Sequence, residues 1–211
     1  MEYRITGKLR TLLEAERRLF FGEIQIDRLE GGGYAVTHHR DAGRGDLILH
    51  NDAYAAREIA KFDAAGNYRP LKSAPNLQRG WKLILPDAES LRLALDFFYP
   101  AMLGTWLGTP RPVHLRETLN RQTGMYRVAA KLMDPEADRL IGEVCDPKAK
   151  CLKTILWRID EHTPITTLPP EKFDLHADLL GRTGRCMSLP CEEACNVLVA
   201  AAREVVKTPA E

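Results

Sequence analysis

The sequence contains no long hydrophobic run and no secretory leader. Its most apolar stretch, residues 91–107, is interrupted by Arg92, Asp96, Pro100 and Gly104, whereas a bilayer-spanning helix needs roughly 20 predominantly apolar residues. The N-terminus mixes acidic with basic residues and lacks the short apolar core that precedes the cleavage site of a signal peptide. We therefore expect a cytoplasmic protein with no membrane span.

The sequence also lacks an excess of either charge. Thirty basic and 29 acidic side chains among 211 residues give a formal net charge of +1, which is too small for a protein that must neutralise several phosphates. Hydrophobic residues make up 45% of the chain and charged residues 28%, which is ordinary for a globular protein and excludes general disorder. We expect a folded protein that does not bind nucleic acid.

Cysteine is missing from the whole first part of the chain. The five cysteines lie at positions 145, 151, 186, 191 and 195. A reducing cytoplasm and an odd number of thiols both argue against a disulfide framework. Another chemistry must therefore account for their spacing.

Local patterns predict mixed secondary structure in the first half. Apolar and polar residues alternate over residues 23–39 on both sides of a Gly31-Gly32-Gly33 turn, which predicts a β-hairpin. The same glycines would suit a phosphate-binding loop, but the Gly-Lys-Ser/Thr sequence of such loops does not follow them. A helix is expected from Asn51, stopped at Gly66-Asn67, and a short strand over residues 81–85.

The helical patterns complete the predicted architecture. Asp87 is expected to cap a long helix with a kink at Pro100, and further helix is expected over His114–Leu132. The predicted fold class is α+β. A small mixed N-terminal subdomain with a hairpin occupies residues 1–108, and a mainly helical subdomain occupies residues 109–211.

Four of the cysteines form two closely spaced pairs. Cys145 and Cys151 flank a short loop, while Cys191 and Cys195 lie in a segment that Pro190 and the following glutamates predict to be a helix start. Their spacing places both sulfurs on one helical face, and a helix N-terminus lowers the pKa of a thiol. Two pairs supply the four thiolates that structural zinc sites and iron-sulfur clusters use.

Alternative interpretations of these cysteines remain open at this stage. Cys191 and Cys195 also fit the apolar stripe of an amphipathic helix, where cysteine acts as a small hydrophobic residue. The second pair favours a metal or cluster site. The spacing of Cys145 and Cys151 is wider than is usual for zinc, which favours iron only slightly. Cys186, in an irregular segment, is left outside the ligand set.

Three segments resemble a known family. They are NYRPLKSAPNLQRGW at 67–81, RETLNRQTGMYR at 116–127 and PCEEACN at 190–196. They are similar to the [4Fe-4S] region, with its stabilising domain, that is fused to CbiX-type sirohydrochlorin chelatases. The resemblance implies a stabilising domain followed by a cluster-binding domain. It also implies that the cluster ligands are Cys145, Cys151, Cys191 and Cys195.

Two functions are compatible with this site. The first is an iron-sulfur protein that transfers electrons to, or senses redox state for, a sirohydrochlorin chelatase or another redox protein. The second is a zinc-stabilised interaction domain without a redox role. An enzyme is less favoured, because the sequence shows no catalytic constellation and the chelatase domain of the fused relatives is absent from it.

Basic residues suggest two further features. Lys148, Lys150 and Lys153 crowd the loop between two ligands, and their charges should raise the reduction potential of a negatively charged cluster. Arg116 and Arg127 lie eleven residues apart, which places them on one face of a continuous helix, and they are candidates for binding a polycarboxylate anion. The alternative is that these arginines pair with acidic residues of the second half.

Overall fold

The computed structural model describes residues 2–107, 113–120, 124–145, 151–155, 157–158, 186–187, 189–191 and 193–208. The chain divides into two compact units. The first comprises Met1–Thr109 and Leu175–Leu189, and the second comprises Pro110–Asp174 and Pro190–Glu211. The α+β fold class predicted from the sequence is confirmed.

Strands occur in both units. In chain order they are β1 Arg18–Phe21, β2 Ile24–Arg28, β3 Tyr34–His38, β4 Ile48–His50, β5 Trp81–Leu85, β6 Val113–His114, β7 Lys153–Ile155, β8 Trp157–Arg158, β9 Cys186–Met187 and β10 Leu189–Cys191. Six of them form one sheet in the order β4-β5-β3-β2-β1-β9. Two small sheets pair β10 with β7 and β6 with β8.

The predicted hairpin is present. Strands β2 and β3 pair antiparallel with Ile26 opposite Val36, and the turn contains Gly32 and Gly33 with φ of 90° and 75°. A Cβ on Gly33 would lie 2.5 Å from the backbone oxygen of Leu85. The turn therefore needs glycine at this position both for its left-handed backbone and for the close approach of strand β5.

The described part of the N-terminal unit also contains four helices. They are α1 Glu2–Ala15, α2 Ala55–Ile59, α3 Ala88–Phe98 and α4 Met102–Leu107. Asp87 caps α3 as predicted, since its carboxylate accepts a hydrogen bond from the backbone N–H of Ser90 at 2.8 Å. The aromatic ring of Phe98 stacks on Trp81 of β5 with the ring centroids 5.0 Å apart, which joins the helix to the sheet.

Two helix predictions in this unit were wrong in extent. The helix expected from Asn51 is only the five-residue α2, because Phe62 and Tyr68 form an antiparallel bridge instead of continuing the helix. Pro100 separates α3 from α4 where a kink within one helix was expected. Ala101 has φ 62°, which is incompatible with a continuous right-handed helix.

The described part of the C-terminal unit is mainly helical. It contains α5 Leu115–Asn120, a 3₁₀ segment Gly124–Lys131, α6 Asp134–Val144 and α7 Asn196–Lys207. The single helix expected over His114–Leu132 is therefore divided into α5 and the 3₁₀ segment. Apolar residues of all four elements form one buried cluster: Leu115, Leu119, Ala129, Leu132, Leu140, Ile141, Leu198, Val199 and Ala202 among others.

Candidate metal centre

The segment that carries Cys191 and Cys195 differs from the predicted helix start. Cys191 is the last residue of strand β10, and Cys195 is the N-cap of α7, with φ −71° and ψ 162°. Pro190 fits an edge strand as well as the first turn of a helix, because a strand with one neighbour tolerates a residue without an N–H. The two sulfurs are therefore not held on one helical face.

All four predicted ligands are reduced cysteines at or near the ends of regular elements. Cys145 is the C-cap of α6, where its N–H donates to Ile141 O at 2.8 Å. Cys151 lies two residues before β7. The side chains of Cys145, Cys151 and Cys191 are 7–8% exposed, while Cys195 is half-buried. Cys145 and Cys191 belong to the apolar core of the C-terminal unit, and Cys195 packs against it.

The four sulfurs lie close enough together to influence one another. Burial is the main cause that raises the pKa of Cys145 to about 12, and the nearby Cys191, Cys195 and Cys151 contribute to the same rise, in that order. The positive charge of the nearby Lys153 acts in the opposite direction and lowers the pKa of Cys145. The Cys145 thiol is therefore protonated in the metal-free chain and must release its proton when a metal binds.

The arrangement is not a closed site for one ion. Within the described residues, no three His, Cys, Asp or Glu side chains are grouped tightly enough to hold a single metal ion. Tetrahedral zinc, with its sulfur bonds of 2.3 Å, requires ligand sulfurs about 3.8 Å apart. An iron-sulfur cluster places iron and sulfide atoms between its cysteine ligands. The cysteine sulfurs therefore lie farther apart than they do around a single zinc ion. The four cysteines match the number of thiolates that such a cluster uses.

The surroundings of the thiols favour negative charge. Among the described residues, the side chain of Cys195 makes no capping hydrogen bond at the start of α7. The first backbone N–H groups of this twelve-residue helix have no partner within the helix, and its N-terminus carries a partial positive charge. The thiol of Cys191 donates to Glu193 O at 3.3 Å, which orients it in the metal-free chain.

The structure shows less about the other residues that the sequence singled out. Cys186 lies in β9 opposite Phe20, in the N-terminal unit, and its side chain is outside the described part. Arg116 lies in α5 and the exposed Arg127 in the 3₁₀ segment, so their eleven-residue spacing does not place them on one helical face. Residues 146–150, with Lys148 and Lys150, lie outside the described residues.

Sequence reasoning missed a buried polar network in the N-terminal unit. The carboxylate of Glu23 accepts a hydrogen bond from the backbone N–H of Leu77 at 2.9 Å. It also lies 3.5 Å from Nε2 of His38 and 4.0 Å from the guanidinium of Arg69. Nδ1 of His38 accepts from the N–H of Arg40, so Nε2 is the nitrogen that faces Glu23. The network ties the hairpin to the loop before β5.

Arg69 explains one of the sequence segments that carried the family resemblance. Its side chain is 1% exposed and donates to the Asn76 side chain and to the backbone oxygens of Lys72 and Ala74 at 2.8–2.9 Å. A fourth contact reaches Ala60 O at 3.4 Å. Burial lowers the pKa of Arg69. The arginine holds the 60–76 loop together. It lies in the segment 67–81, whose resemblance to a known family had already marked this part of the sequence.

Comparisons with known proteins agree with this architecture. Residues 6–110 match the family described as the DR2241 stabilising domain. Residues 107–204 match the 4Fe-4S iron-sulfur cluster binding domain. No curated protein sequence matches. None of the described helices is long and apolar enough to extend across a membrane.

A solved structure is similar to nearly the whole chain. It is DR2241 from Deinococcus radiodurans, described at 1.9 Å resolution as a multi-domain protein with structural similarity to chelatases and two additional novel domains. The TM-score is 0.73 and the sequence identity 28%, over 97% of this chain. The chain covers 42% of the length of DR2241.

The match to a 4Fe-4S cluster binding domain identifies the chain as an iron-sulfur protein. More specifically, the chain joins a match to the DR2241 stabilising domain to a match to a 4Fe-4S cluster binding domain. The resemblance that the sequence motifs indicated is thereby confirmed. The zinc alternative is not supported by these matches.

Proposed function

We propose that the chain binds one [4Fe-4S] cluster through Cys145, Cys151, Cys191 and Cys195 and uses it for electron transfer or redox sensing. The observation that supports this ligand set is that Cys191, Cys195 and Cys151 all lie near enough to Cys145 to raise its pKa, while Cys145 and Cys191 belong to the apolar core of the C-terminal unit. When bound, the cluster supplies a reversible one-electron redox couple. Four thiolate ligands leave no open iron position for Lewis-acid catalysis.

The cysteine ligands differ in how deeply they are buried, and we assign them different roles on that basis. Cys145 and Cys191 lie in the buried apolar cluster, which keeps water away from their sulfurs. Cys195 is half-buried and is the most exposed of the four ligands. We therefore place the approach of a redox partner on the Cys195 side, because electron transfer is favoured by a short path from the cluster to the surface.

The partner we propose is a sirohydrochlorin-type chelatase or another redox protein, and the pathway is tetrapyrrole metallation. Support comes from the likeness to DR2241, which is described as structurally similar to chelatases, and from the fact that this chain spans 42% of that protein. The part shared with DR2241 contains the cluster-binding match. The proposed chelatase is therefore separate from residues 1–211, in the same or another polypeptide.

The decisive experiment is anaerobic reconstitution with iron and sulfide, followed by absorption spectroscopy and metal analysis. A brown protein with a broad thiolate-to-iron band and about four irons and four sulfides per chain is expected. The Cys191→Ser variant, prepared in parallel, should hold much less iron. A colourless protein that retains one zinc per chain after the same treatment would contradict the proposal.

A second experiment tests the redox role. The reconstituted protein is titrated with dithionite while the electron paramagnetic resonance spectrum is recorded. A signal that appears on reduction and disappears on reoxidation, with the iron content unchanged, is expected for an electron-transfer or sensing cluster. A cluster that cannot be reduced reversibly, or that is lost on reduction, would restrict its role to structure.

A further inference from the structure

One end of the six-stranded sheet in the N-terminal unit is an open strand edge. Strand β4, Ile48–His50, lies at that end and pairs in parallel with β5. Among the residues that the structure describes, no further strand pairs with its outer side. The side chains of Ile48 and Leu49 are 68% and 57% exposed. An apolar strand at the edge of a sheet is a template for the addition of another strand.

The hydrogen bonds of the sheet show which peptide groups of β4 face outward. The N–H of Ile48 donates to Gly80 O at 2.9 Å, and the parallel register continues to the pair of His50 with Leu83. The peptide groups of Ile48 and His50 are therefore directed towards β5. Because peptide groups alternate in direction along a strand, the N–H and C=O of Leu49 are directed away from the sheet. An added strand would bond to Leu49.

We propose that β4 pairs antiparallel with β4 of a second copy of this chain, about a two-fold axis at Ile48. In this register Ile48 lies opposite Ile48 of the second copy. Leu49 exchanges backbone hydrogen bonds with Leu47 of the second copy, which directly precedes the strand, and symmetry repeats this pair on the other side of the axis. The inference concerns the N-terminal unit alone and does not depend on the cluster or its ligands.

The charges beside β4 favour a second copy as the occupant. In the register centred on Ile48, Asp46 lies opposite His50 of the second copy and Arg44 lies opposite Asp52, and each pair occurs twice. Opposite charges in facing positions stabilise an antiparallel pair. The Asp46 side chain is 71% exposed and accepts hydrogen bonds from Arg44 at 2.7 and 2.9 Å. Its carboxylate has further lone pairs with which to accept a hydrogen bond from the imidazole.

The other symmetric registers centred within β4 are less favourable. A two-fold axis at Leu49 would bring Asp46 opposite Asp52 of the second copy, and like charges in facing positions destabilise the pair. An axis at His50 would place each Ile48 opposite an aspartate, Asp52. Pairing Ile48 with Leu49 is excluded, because residues that face each other in an antiparallel pair must have matching peptide directions. The charge pattern therefore selects the axis at Ile48.

The size of the contact predicts a weak and reversible dimer. It is limited to one short strand and the residues that flank it, which places it at the small end of protein interfaces, where association is transient. We expect a monomer in dilute solution and a growing dimer fraction as the concentration rises.

The test is sedimentation velocity of the full chain over a wide concentration range. Reducing, anaerobic buffer prevents the cysteines from cross-linking two chains. Ile48→Lys places two lysines opposite each other at the axis and should raise the Kd of the dimer at least about tenfold. Met133→Lys adds the same charge at an apolar side chain of the C-terminal unit that is 59% exposed, and it should keep the wild-type Kd. Circular dichroism verifies that both variants fold.

Charge substitutions test the register. His50→Glu creates a like-charge pair with Asp46 of the second copy and should raise the Kd about fivefold. Asp46→Lys should also weaken the dimer, and the double variant Asp46→Lys/His50→Glu should recover most of the loss. With the axis at Leu49, the lysine of Asp46→Lys would instead face Asp52 and strengthen the dimer. That result would contradict the proposed register.

Amide hydrogen exchange locates the contact within the chain. The N–H of Leu49 faces outward in the monomer, and in the dimer it donates to Leu47 of the second copy. Its exchange should slow as the concentration rises. The N–H of Ile48 is bonded to Gly80 O in both states and should change little. In Ile48→Lys, exchange at Leu49 should no longer depend on concentration.

The possible outcomes either support or overturn the proposal. A wild-type chain that stays monomeric at every concentration would overturn it and leave the edge to a strand of another protein. A dimer whose Kd is unchanged in Ile48→Lys would have its interface elsewhere, as would a dimer that leaves exchange at Leu49 unchanged. Either result would also overturn the pairing of β4 with a second copy.

Discussion

The hydroxyl of Tyr99 accepts a hydrogen bond from the backbone N–H of Glu23 at 2.8 Å. Tyr99 is 1% exposed, and burial raises its pKa. The same ring also lies against Gly22, where an added Cβ would be 2.6 Å from the phenol oxygen. The tight turn between β1 and β2 is therefore built around this tyrosine, and Gly22, with φ 60°, cannot be replaced without strain.

Replacing Tyr99 by Phe should destabilise the N-terminal unit. The change keeps the ring but leaves the buried N–H of Glu23 without its acceptor, which costs about 1–3 kcal/mol of unfolding free energy. Urea denaturation measures the loss. Tyr54→Phe, at a side chain that is 59% exposed, is the control and should stay within about 0.5 kcal/mol of wild type. Equal stability of the two variants would refute the role of this hydrogen bond.

Single serine substitutions should distinguish the proposed ligands from the fifth cysteine. Changing Cys145, Cys151, Cys191 or Cys195 to Ser should lower both the iron content and the stability of the reconstituted protein, because metal binding and local folding are coupled. Cys186→Ser should behave like wild type. Iron analysis and thermal unfolding under anaerobic conditions measure both effects. If Cys186→Ser loses its cluster while one of the other four variants keeps it, the ligand set is wrong at that position.

The charge of Lys153 should raise the reduction potential of the bound cluster. Lys153 is close enough to Cys145 to favour its thiolate form, and a positive charge favours the more negative, reduced state of a cluster. Lys153→Gln should shift the potential negatively, by on the order of tens of millivolts at low salt. Spectroelectrochemical titration measures the shift.

The control for this prediction is a lysine outside the site. Lys207 ends α7 and lies 3.7 Å from Glu204, and Lys207→Gln should leave the potential unchanged. A potential that does not move in Lys153→Gln would mean that solvent and salt screen this charge. Substitutions at Lys148 and Lys150, which were predicted to act in the same direction, extend the series.

Acid should destabilise the N-terminal unit through His39. Burial lowers the pKa of His39 below its ordinary value of 6.5, and the nearby His38 lowers it further. The unfolded chain therefore binds a proton more readily than the folded chain, and stability falls as pH decreases below about 6.5. In urea denaturation at pH 7.5, 6.5 and 5.5, His39→Gln should lose less stability than wild type. Parallel pH profiles would contradict this assignment.

The features that the sequence predicted correctly depend on local chemistry. The hairpin follows from alternating residues around glycines, and the cap at Asp87 depends on a side chain and an N–H only three residues apart. Pro190 was misinterpreted because its missing N–H suits a helix start and an edge strand equally. Which of the two forms depends on the pairing with β7, a strand more than thirty residues earlier.

Interactions between residues that are far apart in the sequence leave no local pattern from which they could be predicted. Charge patterns normally place an arginine such as Arg69 at the surface, yet it is buried because several backbone oxygens converge on it. The four cysteines could be grouped by chemistry alone, since few functions other than metal binding need two close pairs of thiols. Their placement at the ends of α6, β10 and α7 required the tertiary structure.

The pairing of Phe20 with Cys186 has a consequence for how the protein is made. The two residues are 166 positions apart, so a ribosome must add that many residues after Phe20 before Cys186 and the sixth strand are available. Until then, β1 is an open edge that can pair with another nascent chain. Closing so large a loop is also slow compared with forming the hairpin. Productive synthesis should therefore depend on protecting this edge until β9 has been synthesised.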